Sequence, residues 1–249
     1  MTPPADSVEA AISAGPLSTS LALGVSDIDR LLDPAELPAE TGWCTLPDGV
    51  AYAAVRTEMP GVTGEMVDWW FDWHPRESIR YRIWFPGAHE SVDLDPPASP
   101  APKAHWGAVH HPIEDIGLGM DRLRIAFLPP SAIGFSTDAL DDPAVATIVC
   151  GLVGDERRRA EHTLMAHVFL RTPEGVALRS RFWIGAVMRP YLPKPVADPI
   201  AAVLNRRAVR ARLIPRQTAF VMARHCADEY ANLATLLPEL HGKFAAGSA

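Results

Sequence analysis

With 249 residues, 48% of them hydrophobic and 21% charged, the chain can bury a sizeable core and is too apolar to remain disordered. A formal net charge of −7 excludes the basic surface that phosphate binding requires, so no nucleic-acid partner is expected. No run approaches the roughly 20 apolar residues of a membrane span, so no membrane partner is expected, and three widely spaced cysteines (Cys44, Cys150, Cys226) form neither a disulfide framework nor a thiolate metal site.

Residues 1–45 are rich in Ala, Ser and Pro and read as a loosely structured N-terminal arm, followed by one domain over residues 46–241. The opening Met-Thr-Pro-Pro-Ala-Asp has no basic stretch followed by an apolar one, so a cytoplasmic protein is expected. Tyr52 to Arg56 reads as a strand. Thr63 can cap a helix from Gly64 to about Trp73, with Glu65 in its first turn and Met66, Trp69, Trp70 and Trp73 as an apolar stripe. Ile79 to Phe85 alternates, which predicts a strand with Ile79, Tyr81, Ile83 and Phe85 on one face, stopped by Pro86-Gly87. His89 follows, then a proline-rich loop from Asp95 to Pro102, then His105, His110, His111 and Glu114 before Gly117 and Gly119. Further strands are expected at Arg122–Leu128, Ala146–Leu152, Thr163–Arg171 and Leu178–Val187, the last two joined by a turn at residues 171–175. Prolines 190, 193, 195 and 199 then break the chain, Val203–Leu213 is a basic helix, and a long helix closes the chain from about Arg216 to Leu237. A run of antiparallel strands followed by one long helix is an α+β arrangement, a curved sheet packed on a helix. Neither a Gly-x-Gly-x-x-Gly nor a Walker loop is present.

The last helix carries Arg224-His225-Cys226-Ala227-Asp228-Glu229-Tyr230. His225 and Glu229 are four apart, hence on one helical face, shared with the apolar Met222, Leu233 and Leu236. An imidazole and a carboxylate on a buried face each need a partner, and one divalent metal serves both; a solvated helix pair is the plain alternative. His89 and Glu114 flank strands in Gly- and Pro-containing loops, where ligands are commonly displayed. Imidazole and carboxylate together suit zinc, or manganese, iron or nickel. His74 is an alternative ligand to His89, or else a helix-end histidine whose proton the dipole favours. His105, His110 and His111 read either as partners of the ligands or as solvated loop histidines. His162 and His167, five apart on a strand, fall on opposite faces and cannot both line a pocket.

The run from Gly61 through Trp69-Trp70 to His74-Pro75, followed by Arg80-Tyr81-Arg82-Ile83-Trp84-Phe85-Pro86-Gly87-Ala88-His89, resembles the 2,4-diacetylphloroglucinol hydrolase family, to which phloretin hydrolase belongs; the similarity extends from about Met59 to Leu237. The resemblance implies a helix-grip fold like that of Bet v 1 and START proteins. It implies a Zn2+ ion held by His89, Glu114, His225 and Glu229, and hydrolysis of the carbon–carbon bond between an aromatic ring and an acyl group, that is, a hydrolase acting on carbon–carbon bonds in ketonic substances. It makes Tyr81 and Glu114 the catalytic candidates and Tyr81 a substrate-contacting one; the aromatic residues Trp69, Trp70, Trp84, Phe182 and Trp183 offer walls for a flat ring, of which Trp70, Trp84 and Trp183 are taken with Tyr81 as the candidates for binding a small aromatic ketone. A homodimer is compatible with this reading. The chain departs from the family where a polar amide is replaced by Ser91-Val92 and where a second pocket tyrosine is replaced near Phe182-Trp183-Ile184. Both departures bear on the substrate. The rival reading is a non-catalytic helix-grip carrier of a hydrophobic or aromatic molecule.

Overall fold

Two faces of one sheet are buried by two different parts of the chain. A computed structural model describes residues 5–245, and the first residues of the N-terminal arm, 1–4, lie outside them. The chain opens with α1 (Ala5–Ser13) and two 3-10 turns. It then forms β1 (Gly42–Thr45), β2 (Ala51–Pro60), α2 (Gly64–Trp73) and α3 (Ser78–Trp84). Six strands follow: β3 (His89–Asp95), β4 (Val109–Asp115), β5 (Met120–Leu128), β6 (Val145–Asp155), β7 (Ala160–Thr172) and β8 (Gly175–Pro190). The chain closes with α4 (Lys194–Leu204), α5 (Arg207–Leu213) and α6 (Thr218–Phe244). The strands form one antiparallel sheet in the order β1-β2-β8-β7-β6-β5-β4-β3. The expected α+β class, a sheet gripping a long C-terminal helix, is the observed one.

Alternation along β7 and β8 separates the two cores. Met165 and Phe169 with Phe182 and Ile184 face α2 and α6, whereas Leu164, Ala166 and Val168 with Trp183 face the other side. Because both faces are buried, these strands read as nearly continuous apolar runs. The second face is covered by residues the sequence assigns to a loose arm. Leu23, Ile28, Leu31, Leu32 and Leu37 pack there against Tyr52 and Trp183, and Ile12 joins the α6 side. Each such side chain contributes roughly 1.5–3 kcal/mol relative to exposure, which outweighs the looseness of a Pro- and Ser-rich composition. The arm is also tied by Arg179, fully buried on β8, which donates from Nε to Glu40 at 3.0 Å and from its terminal nitrogens to the carbonyls of Leu31 and Ala35 at 3.3 and 2.6 Å.

α2 spans the expected residues, with Thr63 Oγ1 accepting from the Met66 amide at 3.3 Å. The expected strand at Ile79–Phe85 is instead α3. Ile79 is 52% exposed, whereas Tyr81 and Trp84, three apart, are 4% and 6% exposed and share the buried helical face. Seven residues are too few to separate periods of 2 and 3.6 where the opposite face carries arginines in either case. The prolines expected to break the chain after Val187 instead start α4: Pro195 stands in its first turn, where no amide is needed, and only Pro199 lies inside it. α6 runs past its expected end and through Pro238.

Candidate functional site

Four elements converge on the inner face. Tyr81 and Trp84 come from α3, His89 opens β3, Glu114 lies near the end of β4, and His225 and Glu229 are one turn apart on α6. His89 and Glu114 are cross-strand partners in the β3–β4 register, beside a bulge between His89 and Ser91. They therefore sit on strand ends, not in the loops the sequence suggested. His89 Nε2 stands 3.7 Å from Glu114 Oε2 and 3.6 Å from Glu229 Oε2, and His225 Nε2 is 3.8 Å from Glu229 Oε2. One donor atom from each of His89, His225 and Glu229 lies within 4.8 Å of the others. Glu114 is beside this trio with its Oε2 accepting the Tyr81 hydroxyl.

The outer contacts of these residues orient them. His89 Nδ1 faces the Tyr81 carbonyl at 3.2 Å, which places a proton on Nδ1 and a lone pair on Nε2. The Tyr81 ring stacks on the His89 ring at 4.0 Å, and Trp84 Nε1 donates to the Glu229 carbonyl at 3.0 Å. Burial drives His89 to about 3, with His225 adding to the depression, and His225 to about 4 against the pull of Asp115. Burial lifts Glu114 to about 7, against the Tyr81 hydrogen bond, and lifts Glu229 well above the carboxylate range, with Glu114 repulsion adding to it. Without a cation, these carboxyls resist ionisation.

The set fits a metal. His89 Nε2 is buried with no hydrogen-bond partner, and its lone pair faces the oxygens of two carboxyl groups. Lone pairs so opposed repel unless a proton or cation lies between them. Two neutral imidazole nitrogens with carboxylate oxygens are the donor types zinc accepts.

The cluster forms part of the wall of a partly open cavity of about 120 Å³. Phe71, Trp84, Val92, Phe127, Met165, Phe182 and Ile184 line its apolar walls, with Tyr81, Glu114, His225 and Glu229 on its polar side. Of the candidate aromatic walls, Trp84 and Phe182 line the cavity, and Trp69, Trp70 and Trp183 do not. Trp70 is fully buried behind the pocket, stacked on His74 at 5.0 Å and edge-on to Trp84 at 5.7 Å. Trp183 points to the other face of the sheet, where its Nε1 donates to the Leu23 carbonyl at 2.8 Å. Alternation along β8 gives its two neighbours, Phe182 and Ile184, to the cavity instead.

Several histidines stand elsewhere than expected. His74 lines the cavity and is no protonated helix end: burial holds it at about 3, and its Nδ1 pairs with the Trp70 carbonyl at 2.7 Å. His110 is a buried cavity residue, in β4 rather than a loop, with Nε2 unpartnered; His105 is buried with neither ring nitrogen paired. The signal was present: His110, Pro112 and Glu114 share period-2 burial. His111 lies outside, paired with Asp95 at 2.9 Å and with Glu156. His162 and His167 both line the cavity, contrary to the parity argument. A register shift between Glu161 and Thr163 breaks the alternation there, and His167 Nδ1 meets Ser180 Oγ at 2.8 Å.

Fold and site together define a helix-grip protein whose mostly apolar pocket is walled on one side by buried imidazole and carboxylate donors. The DAPG hydrolase PhiG domain matches residues 23–242, and the chain belongs to that family of hydrolases. It is 32% identical over 243 residues to 2,4-diacetylphloroglucinol hydrolase of Pseudomonas protegens, covering 94% of this chain and 78% of that one. It is 29% identical over 248 residues to phloretin hydrolase of Eubacterium ramulus, covering 96% and 85%. Among solved structures, the Zhui aromatase/cyclase of Streptomyces sp. R1128 aligns with a TM-score of 0.38 and 12% identity over 78% of this chain and 98% of that one.

Proposed function

We propose that this enzyme is a zinc-dependent hydrolase that splits the carbon–carbon bond between a phenolic ring and an acyl group. The observation that carries the reading is the buried cluster of His89, His225, Glu229 and Glu114 at the wall of an aromatic-lined cavity, with the Tyr81 hydroxyl on Glu114. The names of the relatives, a diacetylphloroglucinol hydrolase and a phloretin hydrolase, support the same chemistry.

Overall, an acylphenol and one water give the free phenol and a carboxylic acid. The ring carbon gains a proton, the carbon–carbon bond breaks, and the acyl carbon gains the hydroxyl. His89, His225, Glu229 and Glu114 would hold the metal, which supplies Lewis-acid polarisation of the acyl oxygen and activation of water. The Tyr81 hydroxyl donates to Glu114 Oε2. In this reading Glu114 takes the proton that water loses, and Tyr81 gives its own to the ring carbon and is refilled from Glu114. Trp84, Phe71 and Phe127 hold the ring flat and exclude water.

The substrate class follows from the chemistry. Only a hydroxyl ortho or para to the acyl group lets the ring reach the keto tautomer that makes its carbon a viable leaving group. Val92 and Phe182, at or beside the positions where the family's polar residues are replaced, both line the cavity. A less hydroxylated or differently acylated ring than diacetylphloroglucinol therefore suits it better.

The test combines metal analysis with a panel of acylphenols and their O-methyl ethers. About one zinc per chain, lost in His225→Ala, and cleavage of the phenols but not the fully methylated ethers are expected. A zinc-loaded protein that cleaves simple esters and no acylphenol would be a metallo-esterase. A metal-free protein that binds the phenols unchanged would be a carrier.

A further inference from the structure

On a chain of net charge −7, residues 189–216 hold seven of the 23 Lys and Arg and one of the 30 Asp and Glu. This stretch covers the end of β8, α4, α5 and the lead into α6. Its one acid, Asp198, is shared by Arg189 and Lys194 at 3.6 and 2.6 Å, and Arg210 is turned inward onto Asp48 at 3.1 Å. Arg206, Arg207, Arg212 and Arg216 are exposed and make no ion pair among the described residues.

The same stretch supplies five of the ten large hydrophobic side chains exposed among the described residues: Leu192, Val196, Ile200, Val203 and Leu213, each between 39% and 50% exposed. Val196, Ile200 and Val203 recur at spacings of four and three, one face of α4, while Ala197 packs inward. An aliphatic helical face beside four unpaired guanidinium groups is the pattern of a helix that lies in a lipid headgroup region.

We propose that α4 and α5 form a face that adsorbs to anionic lipid bilayers. Charge decides between possible occupants. A second copy meeting this face about a two-fold axis would set the arginine cluster against itself, which costs free energy instead of supplying it. An anionic headgroup layer neutralises all four arginines while the acyl region takes the aliphatic side chains. That no helix among the described residues is long and apolar enough to cross a bilayer does not bear on a helix lying along one. The lead from α5 into α6 is next to the cavity. Ile214 is seated where a Cβ on Gly185 would be, and Ile184 and Thr218, on either side, line the pocket. An apolar phenolic ketone dissolved in a bilayer would thus be held at the enzyme's side.

The test is co-sedimentation of the purified full chain with phosphatidylcholine vesicles and with vesicles containing 30% phosphatidylglycerol. Binding to the anionic vesicles alone, weakened by high salt, is expected. Arg206→Gln/Arg207→Gln should lower the partition coefficient by about 25-fold, taking roughly fivefold per cationic side chain. Val196→Ser/Ile200→Ser should also lower it, and both variants should keep the wild-type melting temperature and circular dichroism spectrum. Absence of binding to either vesicle overturns the proposal, as does equal binding to both. Concentration-dependent dimerisation that Val196→Ser/Ile200→Ser abolishes, with no vesicle binding, would make the face a protein interface and overturn it too. Vesicle binding needs neither metal nor turnover, so its failure is separable from failure of the hydrolase chemistry.

Discussion

Replacing Tyr81 by Phe removes a single oxygen from the site and leaves its packing in place. The ring is 4% exposed and parallel to His89 at a centroid distance of 4.0 Å, so Phe can keep the stack and the orientation of His89. The hydroxyl is lost from Glu114 Oε2, its partner. A hydrogen bond to a charged group contributes roughly 1.5–3 kcal/mol, which at about 1.4 kcal/mol per decade is a fall of about 10- to 150-fold in kcat if the bond matters in the transition state. The fall should appear in kcat more than in KM, because the aromatic walls that hold the ring are unchanged. The assay is release of free phenol from a confirmed acylphenol, with zinc measured on the same preparation. Zinc content should match wild type, since Tyr81 donates no ligand atom. An unchanged kcat/KM at full metal content would remove Tyr81 from the chemistry, and a loss of metal along with activity would make it a support for the ligands.

Glu229→Gln keeps shape but removes a negative donor 3.6 Å from His89 Nε2, so zinc affinity should fall by more than the roughly 10- to 100-fold typical of residues behind the ligands; full occupancy by equilibrium dialysis would break the assignment. Trp183→Phe should lower stability by about 1–3 kcal/mol in urea titration, through the lost Leu23 hydrogen bond and lost volume, with KM unchanged. Phe182→Tyr, one residue away but on the cavity wall, should instead shift kcat/KM toward more hydroxylated acylphenols; equal preference in both variants would refute the two-faced reading of β8. Burial pushes Glu40 up, but hydrogen bonds from Arg179 and the Leu37 amide and the charges of Arg179 and Arg181 outweigh it, leaving its pKa below the usual carboxylate range. A depressed carboxylate stabilises fully above its unfolded pKa and ceases to do so as pH falls through the folded value. Glu40→Gln should therefore melt lower than wild type at pH 7, with the gap closing below about pH 4; a gap constant with pH would mean the charge is not what matters.

Much of the fold was legible because its signals were long. The strands from Val145 to Pro190 read as extended apolar runs, and α6 carries its His225–Glu229 pair on a face that the neighbouring Leu233 marks as buried. What misled was short or non-local. Seven residues of α3 fit two periods equally well, and the difference matters because a helix sets Tyr81 and Trp84 together on the cavity where a strand would have set them on opposite faces. His162 entered the cavity through a break in the β7–β8 register between Glu161 and Thr163 that no composition announces. The arm looked loose because its partners, Tyr52, Trp183 and Arg179, come from distant strands. Trp183 and Phe182 carry the same lesson into function. Both are buried aromatics in one run, and only the pleat assigns one to the ligand and the other to the arm. In the Phe182-Trp183-Ile184 run it is Phe182 and Ile184 that face the cavity, so any selectivity carried by this strand has to be sought on that side.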